Sequence, residues 1–152
     1  DPDLRGMGTT LVCMLLHPEG VVLAHVGDSR AYRLQNGVLE QMTSDDTLAH
    51  QLIDQGHLDP EDEAFFAYKN VITKAIGNGE QLKPHVALIE PHDGDIFLLC
   101  TDGLTDMLSH GQIEMILNSG HSPDELAADL VATAKSLGGH DNVTALVVHL
   151  RK

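Results

Sequence analysis

Cations are scarce in this 152-residue chain: nine Lys and Arg stand against 23 Asp and Glu, a formal net charge of −14 with histidine neutral. A surface that neutralises nucleic-acid phosphates is built from clustered Lys and Arg, so DNA and RNA are excluded as partners. Long apolar runs are missing too. The longest, residues 11–16 and 96–100, fall far short of the ~20 residues a membrane-spanning helix needs, so no membrane span is expected. Cysteine is limited to Cys13 and Cys100. Each lies in an apolar, strand-like run, which excludes a disulfide scaffold and reads as two buried core thiols in a reducing, cytoplasmic setting. GxSxG, the phosphate-cradling P-loop and HExxH are all absent, which removes support for a serine-hydrolase elbow, a nucleotide cradle and a helical zinc site.

What is present points to one domain, because a chain of 16.4 kDa with 42% apolar residues can bury an ordinary core. Residues 9–17 and 21–26 are aliphatic and β-branched runs joined at Pro18-Glu19-Gly20, predicting a hairpin with both strands buried. Residues 31–34 and 38–42 flank Asn36-Gly37, a strong hairpin turn signal, so the first 42 residues are expected to form one antiparallel meander. From Ser44 the period becomes helical through Leu48, Ala49, Leu52 and Ile53, with Thr43 or Ser44 as cap and Gly56 as stop, predicting about three turns. Residues 57–68 are acidic and read as an exposed irregular loop. Strands follow at 86–89 and 96–101, then two capped helices beginning at Ser109 and Ser122, then a closing strand at 143–150. Hairpins interrupted by a late helical pair predict an α+β fold with antiparallel sheets.

Asp28, Asp102 and Asp141 each stand where an apolar strand begins or ends beside glycine, a place where a side chain can project from a rigid element into a cleft. Taken singly, each also reads as a turn former or helix cap. Together they are three hard oxygen donors, the ligand type that Mg²⁺ and Mn²⁺ prefer. His25, His85 and His149 fall inside strands and read as packed or surface imidazoles. His140 adjoins Asp141.

Five segments then carry a family resemblance over essentially the whole chain: Gly6-Met7-Gly8-Thr9-Thr10-Leu11, His25-Val26-Gly27-Asp28-Ser29-Arg30-Ala31-Tyr32, Asn70-Val71-Ile72-Thr73-Lys74-Ala75-Ile76-Gly77, Leu99-Cys100-Thr101-Asp102-Gly103-Leu104 and Gly138-Gly139-His140-Asp141-Asn142-Val143-Thr144. In this order they resemble the motifs of the metal-dependent PPM/PP2C protein phosphatases of the compact bacterial Ser/Thr type.

The resemblance implies a sandwich of two antiparallel β-sheets flanked by helices, with a Mn²⁺ or Mg²⁺ centre of two core metals and a possible third. Asp102 and Asp141 match core metal ligands and, through metal-bound water, the catalytic positions; Asp28 matches a ligand of the third metal. Gly103 and Asn142 match residues that support those ligands. Residues 45–68 fall where such enzymes carry a mobile flap, although Asp45-Asp46-Thr47 departs from the usual Asp-His pairing there. The family's Asp-Gly ligand pair and phosphate-receiving Arg find no counterpart, so residues 1–152 are expected to be the C-terminal portion of one phosphatase domain, with the N-terminal part of the fold missing. The implied reaction is hydrolysis of phosphoserine and phosphothreonine by a metal-activated water, on phosphoproteins whose modification a Ser/Thr kinase installs. A non-catalytic module that binds a kinase or phosphoprotein is the rival expectation.

Overall fold

The computed structural model describes residues 3, 5–77 and 82–151. In chain order the elements are β1 (Leu11–His17), β2 (Gly20–Val26), β3 (Arg30–Gln35), β4 (Val38–Gln41), α1 (Leu48–Asp54), a 3₁₀ helix (Pro60–Phe65), β5 (His85–Ile89), β6 (Ile96–Cys100), α2 (Asp102–Thr105), α3 (His110–Leu117), α4 (Pro123–Ser136) and β7 (Ala145–His149). The strands form two antiparallel sheets, β1-β2-β5 and β4-β3-β6-β7. The α+β sandwich is thus as expected, but the first 42 residues are not one meander. β2 pairs with β1 and β5, and β3 with β4 and β6, so the chain changes sheets between Val26 and Arg30. Gly27 makes the crossing possible: its φ is +97°, and a Cβ there would collide with the Thr10 side chain.

Three layers result. Val21, Leu23, Ala31, Ile89, Phe97 and Leu99 fill the space between the sheets, joined by Val12 and Met14. Leu34, Leu98, Cys100, Leu104, Leu126 and Leu130 belong to a second core between the four-stranded sheet and the helices. β6 faces both cores, with Phe97 and Leu99 on one side and Leu98 and Cys100 on the other, which is why its sequence is apolar without alternation. The outer face of the three-stranded sheet carries no layer among the described residues. Leu15, Val22 and Leu88 share one row across it and Cys13, Ala24 and Val86 another, and the β1 and β5 members of both rows are exposed.

That open face corrects the expectation for Cys13 and for β1. An apolar run reads the same whether or not something covers its outer side; here Val12 and Met14 turn inward while Cys13 turns out. Burial pushes the Cys100 thiol up to about 12, leaving it protonated at neutral pH. Iodoacetamide is therefore expected to label the native chain once, at Cys13, with Cys100 reacting only on denaturation. Peptide mapping that finds both labelled at similar rates would contradict this burial pattern.

Helix ends follow local chemistry where side chains are free to cap. Ser109 with Gln112, and Ser122 with Glu125, form capping boxes, and Pro123 occupies the first turn of α4. α1 is shorter than expected and is capped by Thr47, whose side chain accepts from the His50 amide. The expected caps are otherwise engaged: Thr43 Oγ1 accepts from the Ala31 amide at 3.1 Å, and Ser44 Oγ is 2.6 Å from His50 Nε2. The acidic stretch beyond α1 is not wholly irregular either. Asp59 caps the 3₁₀ helix through the Glu61 amide at 3.1 Å, with Pro60 in its first turn. No helix among the described residues is long and apolar enough to cross a membrane.

Candidate functional site

Strand register brings distant aspartates to one end of the sandwich. Arg30 lies opposite Cys100, so Asp28, two residues before β3, and Asp102, two residues after β6, leave the sheet at the same end. Ala145 lies on the other side of Cys100, which brings the Asp141 loop to that end as well. The junction is close. A Cβ on Gly103 would strike the Asn142 carbonyl oxygen, Thr101 Oγ1 donates to that oxygen at 3.2 Å, and the Thr144 amide donates to Thr101 Oγ1 at 3.0 Å. Gly103 and Asn142 therefore set how near the Asp141 loop comes to the start of α2. Asp102 Oδ1 accepts from the Gly103 amide at 2.8 Å and Asp141 Oδ1 from the Asn142 amide at 2.6 Å, so one oxygen of each carboxylate is oriented by its own backbone.

A cavity of about 250 Å³ opens here, with Asp28, Asp102, Asp106, Asp45 and Glu63 among its lining residues. Burial, and then the Asp102 charge, push the Asp28 carboxyl above the usual carboxylate range. Asp102 is raised as well, chiefly by burial, which the Gly103 hydrogen bond opposes and the Asp141 and Asp106 charges reinforce. The structure thus places Asp28 and Asp102 on one cavity and Asp141 within electrostatic reach of Asp102, though outside the lining. Among the described residues, no three His, Cys, Asp or Glu side chains are grouped closely enough to hold a metal ion. In kind the donors fit a hard divalent cation: carboxylate oxygens line the cavity without imidazole or thiolate, and their mutual repulsion is what such a cation relieves.

Sequence reading missed several wall residues. Arg30 grips Asp45 with Nε at 3.0 Å from each carboxylate oxygen and a second nitrogen at 2.7 Å from Oδ2, and it also reaches the Tyr32 hydroxyl at 3.3 Å. The pair forms a neutralised wall. Asp106 was legible, since it follows Asp102 at helical i, i+4 spacing. Glu63 and Lys69 were not, because only the fold carries the 60–70 segment back to this cavity.

The family description "Protein phosphatase 2C" matches residues 1–146. The serine/threonine phosphatase stp of Listeria monocytogenes strain EGD-e is 41% identical over 146 residues, covering 96% of this chain and 58% of that protein. The serine/threonine protein phosphatase PstP of Mycobacterium tuberculosis is 40% identical over 149 residues, covering 97% of this chain and 28% of that protein. The crystal structure of the M. tuberculosis phosphatase PstP/Ppp superposes with a TM-score of 0.94 at 39% identity, over 100% of this chain and 64% of that one. The PstP catalytic domain in complex with two manganese ions gives 0.88 at 38% identity, over 100% and 63%. The chain therefore spans less than two thirds of the length of these relatives.

Proposed function

The chain belongs to the protein phosphatase 2C family, and from that premise we propose that residues 1–152 form the C-terminal portion of one phosphatase domain whose whole protein hydrolyses phosphoserine and phosphothreonine in proteins with Mn²⁺ or Mg²⁺. The observation that carries this reading is the pair Asp28 and Asp102, two carboxylates on one cavity, each raised by burial and by a neighbouring negative charge. Asp28, Asp102 and Asp141 would hold the cations, with Gly103 and Asn142 fixing the approach of the Asp141 loop. The remaining donors and the phosphate-receiving arginine come from the part of the protein outside these residues. When bound, the cations neutralise phosphate charge and acidify a coordinated water near neutral pH.

This chain's own residues supply the shape and the field of the cavity. Arg30 is engaged by Asp45 and serves as a wall, whereas Lys69 also lines the cavity and has no ion-pair partner among the described residues, so it offers positive charge to a phosphate entering over the 3₁₀ helix. The proposed substrates are phosphoproteins that a Ser/Thr kinase modifies. The proposed location is the cytoplasm, which suits two unpaired thiols, one of them exposed.

The test compares the 152-residue chain with the full-length protein by Mn²⁺ calorimetry and by hydrolysis of a phosphothreonine peptide. Full-length protein is expected to bind Mn²⁺ and turn the peptide over. The short chain is expected to bind Mn²⁺ weakly and to be at least about a hundredfold slower, since it presents fewer anionic ligands to an ion that is costly to dehydrate. Full-length protein that binds Mn²⁺ yet leaves phosphothreonine, phosphoserine and their peptides intact would establish a non-catalytic module.

A further inference from the structure

We propose that Asp46 is a positioning residue that sets the direction of Asp28, an inference that rests on the metal-binding reading of Asp28 above. The Gly27-Asp28 turn is where the chain leaves one sheet for the other, so its geometry is not held by strand pairing on both sides. Asp46 supplies the missing restraint. Its Oδ2 accepts from the Gly27 amide at 3.0 Å, and its own amide donates to the Gly27 carbonyl oxygen at 3.0 Å, a reciprocal pair that clamps the peptide unit next to Asp28.

The clamp is itself anchored. Asp46 is 5% exposed, and its Oδ1 accepts from Lys74 Nζ at 2.5 Å and lies 3.1 Å from His85 Nε2. His85 is stacked on His25 with ring centroids 4.7 Å apart, which holds its ring in place. The Asp46 carbonyl oxygen accepts from both the amide and the hydroxyl of Thr73, at 2.7 and 2.9 Å. On the far side of the turn, Thr10 Oγ1 and Ser29 Oγ are 2.9 Å apart. A single buried carboxylate thus ties the sheet crossing to β5 and to the strand-like segment that returns from the flap region. Burial alone would push it up, but the hydrogen bonds from Lys74, the Gly27 amide and His85 hold it below the usual carboxylate range, so it is an anion at neutral pH. Partners that orient a metal ligand typically change metal affinity tenfold to a hundredfold when removed, without touching the metal.

The experiment uses the full-length protein, with amide hydrogen exchange followed by NMR and Mn²⁺ affinity by calorimetry, on Asp46→Ala, Asp46→Asn, Asp28→Asn and the Asp46→Ala/Asp28→Asn double variant. Asp46→Ala is expected to speed exchange at Gly27 by about tenfold relative to Phe97 in the core, and to weaken Mn²⁺ binding by about tenfold. Asp46→Asn keeps an acceptor for the Gly27 amide and should recover part of both, which also covers the case in which the alanine variant fails to fold. The double variant should bind no more weakly than Asp28→Asn alone, the non-additivity of a residue acting through another. Leu130→Ala controls for lost stability and should leave Mn²⁺ affinity unchanged. Unaltered Gly27 exchange in both Asp46 variants, or losses in affinity that add in full, would overturn the proposal. If Asp28→Asn leaves Mn²⁺ affinity intact while Gly27 exchange still rises in Asp46→Ala, the clamp stands and the assignment of metal to Asp28 falls.

Discussion

Asp102→Asn is expected to weaken Mn²⁺ binding by at least about a hundredfold and to reduce phosphothreonine-peptide hydrolysis by the full-length protein at least as much, while leaving the metal-free protein as stable as before or more so. The opposite signs arise from one cause. Asp102 is held above the usual carboxylate range by burial and by Asp141 and Asp106, so the folded state binds its proton more tightly than the unfolded chain does. Ionisation therefore opposes folding, and that cost is fully present above the raised folded-state value and absent below the ordinary aspartate range. Asparagine removes the cost while keeping an oxygen for the Gly103 amide, which Asp102 Oδ1 contacts at 2.8 Å. The stability advantage of the variant, measured by urea unfolding without metal, should shrink as pH falls from the raised folded-state value of Asp102 toward the ordinary aspartate value. A large loss of metal-free stability with Mn²⁺ affinity unchanged would make Asp102 a helix-terminus residue and nothing more.

Asp95→Ala should produce the largest loss of stability, about 3–5 kcal/mol, because it strips the partner from a buried guanidinium. Asp95 is 1% exposed and stands at the opposite end of β6 from Asp102. It accepts from Arg33 Nε at 2.9 Å, from the Gln35 side chain at 3.1 Å and from the His92 amide at 2.8 Å, and a second Arg33 nitrogen is 2.7 Å away. The Arg33 side chain is only 11% exposed, so it cannot recover full hydration when the carboxylate goes. Against a typical total of about 5–15 kcal/mol, such a loss leaves a marginal fold. Urea unfolding measures it directly. A change under about 1 kcal/mol, the value typical of exposed pairs, would show that Arg33 finds water in the folded state.

Legibility in the sequence tracked how local each signal was. The Asn36-Gly37 turn needs positive φ at both residues, and the structure has +52° and +83° there. The capping boxes at Ser109 and Ser122 needed only neighbours three residues away. The family resemblance, too, was carried by short motifs whose order could be read along the chain. Thr47 was missed as the α1 cap because the choice depended on where Thr43, Ser44 and Asp46 found partners, and two of those partners, the amides of Ala31 and Gly27, lie more than ten residues upstream.

Period, turn chemistry and motif spacing are properties of the chain alone, and they were enough for the α+β class, the strand runs and the placement of Asp28 and Asp102 beside strand ends, whereas Asp141 lies in the loop ahead of β7. That Asp28 and Asp102 share a cavity, that Cys13 faces outward, and that Asp46 clamps the crossing at Gly27 emerges only from the folded arrangement. Each of these depends on strand register and on which faces of the sheets are covered. The pairing of Arg30 with Cys100 joins residues 70 positions apart, and a local pattern cannot specify such a contact, because the same alternation of side chains is compatible with any partner strand that completes the ladder.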